Sequence, residues 1–239
     1  MNTDVVVERP SVSVSASRRD VALARWAMAA AVVGAVFYSM WLVSAPLNAL
    51  DPVTSFVSEL TADGQPFAML FRVTEIGAGL AVIAAALLMM RHLRDRVAPF
   101  VLLAGFGLFT IFDALAPLSC APTLDAACRA AEIAGTVPWL HQVHSVTSSL
   151  AGGLAALAVA WAWWSERGAR RADAPSWTRS AATICGVVYL VAMAWSLVEI
   201  AEWGVGIMGL AQRVSLLALA AWWVLYVAYR LRSTPTSYR

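Results

Sequence analysis

The chain has 239 residues, 60% of them apolar and 13% charged, with a net charge of +2 at neutral pH and a mean hydropathy of +0.69. So few charged groups cannot cover a soluble surface, where about a quarter of residues carry charge, and the hydrophobicity excludes a disordered chain. The composition defines an all-α, polytopic integral membrane protein, in which each crossing of the bilayer takes about 20 apolar residues.

Residues 1–25 are rich in serine and valine, show no apolar helical face, and are expected to form a disordered cytoplasmic tail. The apolar segment that follows is too long for the core of a signal peptide. A six-helix transmembrane domain over 26–230 comes next, its first span at about 26–47 in the stretch Trp26–Leu50, which lacks ionisable groups. The loop DPVTSFVSELTADGQP is punctuated by Pro52, Gly64 and Pro66. Within it Ser55–Leu60 is expected to be a short helix capped by Thr54 or Ser55, with Ser58 and Glu59 inside it. Phe56, Val57 and Leu60 would press onto the membrane, either covering a cavity or as an ordinary amphipathic loop helix.

The second span, about 69–90, carries Arg72 and Glu75 on one helix face. The third, about 97–118, carries Asp113 a turn and a half before its end. The fourth, about 138–163, has Pro138 as a first-turn residue. It aligns His141, His144, Ser145 and Ser148 in one polar stripe, with Thr147 and Ser149 off it. The fifth, about 180–203, ends with Glu199 and Glu202 between Trp195 and Trp203, read as interface anchors. The sixth, about 207–229, opens with Gln212, Arg213 and Ser215, and residues 231–239 form a second tail.

Arginine is the sole basic residue type apart from histidine, and its distribution sets the orientation. Fourteen of seventeen arginines fall in the two tails and the second and fourth loops; Arg72, Arg129 and Arg213 remain for the other side. The positive-inside rule then places both termini in the cytoplasm. The same arginines serve as topology signals and lipid-headgroup contacts, and no nucleic-acid partner is expected. Trp161, Trp163, Trp164, Trp222 and Trp223 lie near the inner interface, as an aromatic belt does. In the third loop, outside by this topology, Cys120 and Cys128 are candidates for a disulfide; free thiols or metal ligands are the alternatives. Cys185 reads as a small packing residue.

An ionisable side chain at the centre of a span costs about 2.5–3.5 kcal/mol. Those of this chain gather in the outer third of the membrane or just above it, whereas the cytoplasmic halves of the spans read as uniformly apolar. An outward-facing polar cavity is the economical explanation. Its candidate binding residues are Ser58, Glu59, Arg72, Glu75, Asp113, His141, His144, Ser148, Glu199, Glu202 and Arg213. The alternative is a structural network in which Arg72 and Arg213 pair with Glu75, Asp113, Glu199 or Glu202.

Four segments resemble a known family. SFVSELTADGQP after the first span resembles the opening signature of an uncharacterised bacterial membrane family, domain of unknown function 998. FDALAPLSCAP closing the third span, WLHQVHS opening the fourth and GLAQR opening the sixth are similar to its later landmarks, so the resemblance covers about 30–230. It implies a six-span bundle in a bacterial plasma membrane and brings no activity and no catalytic residues.

Three functions compete. The first expectation is a protein that binds or transports a small polar or lipid-like ligand from the bilayer or the outer face. The second is a membrane-embedded hydrolase, with zinc or another transition metal held by His141, His144 and Asp113 or Glu59, a fourth position open to water, and an acid such as Glu75 as base. That pattern is loosely similar to membrane hydrolases of the ceramidase and adiponectin-receptor type, from which this chain departs in span number and histidine count. The third is an accessory subunit of a membrane complex. No nucleotide loop, serine nucleophile elbow or haem attachment motif is present.

Overall fold

The computed structural model describes residues 17–44, 46–93, 95–167, 176–201 and 204–233. These form seven α-helices and no strand: α1 (Arg18–Tyr38), α2 (Ala68–His92), α3 (Ala98–Leu115), α4 (Ala126–Ile133), α5 (Trp139–Glu166), α6 (Ser176–Ile200) and α7 (Met208–Arg232). All except α4 are long and apolar enough to cross a membrane. The chain is therefore a multi-pass, all-helical membrane protein.

The first helix starts eight residues before the expected span. Residues 18–25, assigned by composition to a disordered tail, are helical, because the Ser17 hydroxyl accepts from the Asp20 amide (3.3 Å) and Asp20 sits in the positive first turn. The helix ends at Tyr38, and a 3₁₀ turn, Met40–Val43, carries the chain on. The rest of the expected tail, residues 1–16, and residues 234–239 lie outside the described residues. The other spans fall close to their expected bounds, with α6 beginning and ending earlier than 180–203. Pro138 stands as the cap residue before α5, one position ahead of its expected place in the first turn.

The helices form a ring in the order α5, α3, α2, α1, α7, α6. Neighbours pack extensively around it, more moderately between α1 and α7, and lightly where α6 returns to α5. In lipid, helix association depends on close packing of small residues and on buried polar contacts. Both are present. At the α2–α3 crossing, a Cβ on Gly79 would lie 2.5 Å from the carbonyl oxygen of Gly107, so the two backbones touch. Between α1 and α7, the indole of Trp223 donates to the carbonyl of Ala31 (3.0 Å). Tyr38, Phe106 and Trp223 form an aromatic cluster at mid-bundle. Trp222 and Trp223 are thus buried packing residues rather than part of a belt. Trp161, Trp163 and Trp164 remain exposed.

The arginine-rich end is not uniformly apolar. Arg230 on α7 is fully buried against Glu166 at the end of α5 (3.3 Å) and reaches the carboxylate and carbonyl of Asp95, both at 3.2 Å. Arg96 (3.1 Å) and the Tyr229 hydroxyl (3.2 Å) also bind Glu166. These contacts tie the α2–α3 loop to α5 and α7. A charge buried this deeply persists only when paired and hydrogen-bonded, and the exit from α5 at Glu166 supplies the partner.

Candidate functional site

The opposite end carries the polar layer, and its loops are built first. The chain from Asp51 to Thr61 lies across the bundle as a lid. A 3₁₀ turn spans Val57–Thr61, two residues later than the expected helix, and neither Thr54 nor Ser55 caps it. Instead Glu59 reaches back to the amide of Phe56 (3.0 Å). Its other oxygen accepts from the amide (3.1 Å) and hydroxyl (2.5 Å) of Thr123 in the α3–α4 loop. The Ser55 hydroxyl joins the same threonine at 2.7 Å. Val57 and Leu60 are buried with Trp41, Phe71 and Leu118, so they face the protein rather than lipid.

Arg72 and Arg213, the arginines of the spans at this end, hold this lid. Arg213 Nη1 donates to the carbonyls of Ser55 (2.7 Å), Pro52 (2.8 Å) and Gly209 (3.1 Å). A side chain on Gly209 would overlap the Ser55 carbonyl, so glycine permits the approach. Gln212 accepts from the amide of Val57 (2.6 Å). Arg72 donates to the carbonyl of Thr61 (2.8 Å) and the carboxylate of Asp63 (2.6 Å), turning away from Glu75. Glu199 closes the α6–α7 connection by accepting from Trp195 Nε1 (2.9 Å) and the amides of Val205 (2.9 Å) and Gly206 (2.8 Å). Neither Arg72 nor Arg213 pairs with the acids of the spans, as a purely structural ion-pair network would have required.

The third loop carries a short helix, α4, that hydropathy does not mark. Asp125 caps it through the amides of Ala127 (2.8 Å) and Cys128 (3.2 Å). Cys128 is disulfide-bonded to Cys120. His141 belongs to this loop assembly rather than to the cavity. Its Nδ1 accepts from the Ser119 amide (3.2 Å), which leaves Nε2–H to face Glu132 on α4 (3.5 Å).

Beneath the lid lies a cavity of about 620 Å³. Tyr189 lines it eleven residues before the end of α6. At 1.5 Å per residue that is about 16 Å along the helix, roughly half of the ~30 Å hydrocarbon core. Its floor and inner wall are Tyr38, Phe106, Tyr189 and Leu219; Ser58, Glu59 and Trp41 line it from above. On the α5–α6 side it is lined by Ser145, Ser149, Leu197 and Ile200, all exposed, so the cavity reaches the surface where the ring is loosest.

Four of the candidate residues meet here. Asp113 accepts from Thr147 Oγ1 (2.7 Å) and Ser148 Oγ (2.8 Å to each carboxylate oxygen). His144 Nδ1 sits 3.0 Å from the carbonyl of Ala116 and 3.3 Å from Asp113 Oδ1. A carbonyl only accepts, so Nδ1 carries a proton, and Nε2 stands 3.4 Å from Ser148 Oγ. Ser148 is closer to the carboxylate than to the imidazole, so its single proton serves Asp113. The fourth residue, Glu75, lines the cavity with Oε2 buried and without a hydrogen-bond partner.

Of the expected site, Ser58, Glu59, Glu75, Asp113, His144, Ser148 and Glu199 line the cavity; Arg72, His141 and Arg213 do not. Glu202, like Trp203, lies outside the described residues. Thr147 and Ser149, read as off the polar stripe, contribute to Asp113 and to the cavity wall respectively. The sequence reading missed Tyr38, Thr110 and Tyr189, which carry no charge to mark them in a span. The proposed metal set does not assemble. His141 and His144 engage different partners, and among the described residues no three of His, Cys, Asp and Glu converge in a metal-holding group.

Fold and site together define a class: a polytopic helical membrane protein with a lidded polar cavity reaching from one end of the bundle to its middle. The chain belongs to the family of proteins of unknown function DUF998, whose profile matches residues 16–229. No curated protein and no solved structure matches it.

Proposed function

We propose that the protein is a binding protein for a small amphipathic ligand, seated in a bacterial plasma membrane with both termini cytoplasmic and the cavity facing outward. The arginine distribution supports the orientation, and the disulfide on the opposite end agrees with it, since disulfides persist outside the cytoplasm. The carrying observation is the cavity itself. It joins a polar cluster, Glu75 with Asp113, His144 and Ser148, to apolar and aromatic walls that open towards the bilayer between α5 and α6. Such a combination of an apolar pocket and a few convergent polar groups is what small-molecule sites have in common. Binding, rather than metal-dependent hydrolysis, is favoured because His141 faces α4 and Asp113 is taken up by hydroxyls and His144.

Native mass spectrometry of the protein released from membranes tests this reading. The unmodified chain is expected to carry a bound small molecule. A Gly152→Trp variant, which fills the cavity where a Cβ already meets the flexible end of Met193 at 2.6 Å, is expected to carry none. Equal adducts on both chains would sink the reading.

A further inference from the structure

The cavity's charge says more about the ligand than its size does. Resting on the binding reading above, we infer that the cavity takes a ligand with a protonated amine, its ammonium group lying at Glu75 beside Asp113 and its apolar tail running out between α5 and α6.

The argument begins with the unmatched acceptor. Glu75 Oε2 is buried, lines the cavity and has no hydrogen-bond donor. Glu75 lies within electrostatic reach of Asp113 and, more weakly, of Arg72, so the nearest charge an added group meets at Glu75 is that of a second acid. The cations that the sequence offers nearby are committed elsewhere: Arg72 to Asp63 and the Thr61 carbonyl, Arg213 to three carbonyls of the lid and of α7. Among the described residues, Arg129 on α4 is the one arginine lining the cavity, three residues before Glu132, which lines it too.

The remaining charged groups already have partners. Glu59 accepts from Thr123 and Phe56, and Glu199 from Trp195, Val205 and Gly206. An ammonium supplies three donors and brings a positive charge into direct contact with the unmatched Glu75 oxygen. The rings of Tyr38 and Phe106 line the same space, and aromatic rings attract a cation to their faces. A carboxylate or phosphate headgroup meets like charge, and a neutral hydroxyl gives Glu75 a hydrogen bond but no counter-charge in a low-dielectric site.

The test uses the full chain in zwitterionic lipid nanodiscs and four probes: decylamine, decanol, decanoate and ethylamine. Binding is read from tryptophan fluorescence, Trp41 lying in the cavity wall, with partition into empty nanodiscs subtracted. Decylamine is expected to bind at least about tenfold more tightly than decanol, and decanoate and ethylamine to bind more weakly than either. Glu75→Gln is expected to reduce decylamine to the affinity of decanol while leaving decanol unchanged, which shows that the variant is folded. Asp113→Asn is expected to weaken decylamine by a smaller factor. If decylamine and decanol bind equally to the unmodified chain, or if Glu75→Gln leaves their ratio intact, the ammonium assignment is overturned and the binding reading stands. If none of the four binds, both fall. If ethylamine equals decylamine, the apolar path for the tail is overturned.

Discussion

Arg213 and Glu75 have the same look in the sequence, each a charged residue within two turns of a span's end, yet they do opposite things. Arg213 satisfies three backbone carbonyls of the lid and of its own helix. Glu75 keeps an oxygen unmatched in the cavity. The sequence could reveal that polar groups gather in one layer, because their cost in lipid makes them conspicuous. It could not reveal which way each points. The i, i+3 spacing of Arg72 and Glu75 allows a pair, but Asp63 in the loop competes for the guanidinium and wins at 2.6 Å. The close approach of Ser55 to Gly209 is equally invisible, since it joins residues from the first loop and the last span. The difference between the two charges is measurable. Arg213→Met leaves buried carbonyls without their charged donor and is expected to destabilise the fold by about 3 kcal/mol. Glu75→Gln, which removes no contact, is expected to be neutral or stabilising. Unfolding in mixed micelles with increasing sodium dodecyl sulfate reads both, and equal midpoints for the two variants would refute the division into lid residues and cavity residues.

Elements were more legible than residues, and unevenly so. The spans follow from hydropathy alone, because lipid leaves helices as the solution for an apolar chain that must satisfy its own backbone. Their ends depend on polar side chains that hydropathy averages away: Ser17 starts α1 ahead of the apolar run, and Asp125 starts α4 inside a loop. Asp125 was available as a signal, an acidic cap before an alanine-rich run. The buried Glu166–Arg230 contact was not, as it pairs the ends of two spans far apart in sequence. Which faces of the spans meet was also hidden, and glycine decides one of them. At the α2–α3 crossing each glycine faces the other's carbonyl, at 2.5 Å and 2.7 Å from an added Cβ. Gly79→Ala or Gly107→Ala therefore forces the helices apart and is expected to cost about 1–3 kcal/mol. Gly153 on α5 has nothing within 4 Å of an added Cβ, so Gly153→Ala is expected to leave stability unchanged or raise it by up to about 1 kcal/mol through helix propensity. Thermal midpoints of the three variants in one detergent check the contrast; a loss at Gly153 as large as at Gly79 would mean that helix–helix approach is not what the α2 glycine serves.

The molecule as a whole is a ring whose lightest packing lies between α5 and α6, and the cavity opens at that seam. Two kinds of anchor keep the rest rigid. At one end Glu166 and Arg230 bind α5 to α7; at the other the lid joins α2, α7 and the α3–α4 loop through Arg72, Arg213 and Glu59. The α5–α6 seam is tied at the arginine-rich end, where Arg179 donates to the Glu166 carbonyl (3.0 Å), and further along by the Tyr189 hydroxyl on the Gly152 carbonyl (2.9 Å), below exposed Ser145 and Ser149. If the proposed ligand binds, its apolar tail has a route through this seam that leaves the lid in place. Single cysteines in a Cys185→Ala background test route and orientation together, the disulfide leaving Cys120 and Cys128 unreactive. Ser149→Cys is expected to react with a lipid-soluble maleimide and to be protected by decylamine. Ser58→Cys, on the lid, is expected to react in intact cells with a membrane-impermeant maleimide, and Arg91→Cys only after the cells are opened. Labelling of Arg91→Cys but not Ser58→Cys in intact cells would invert the orientation and put the cavity on the cytoplasmic face. Protection of Ser58→Cys by decylamine with none at Ser149→Cys would move the ligand's path from the seam to the lid.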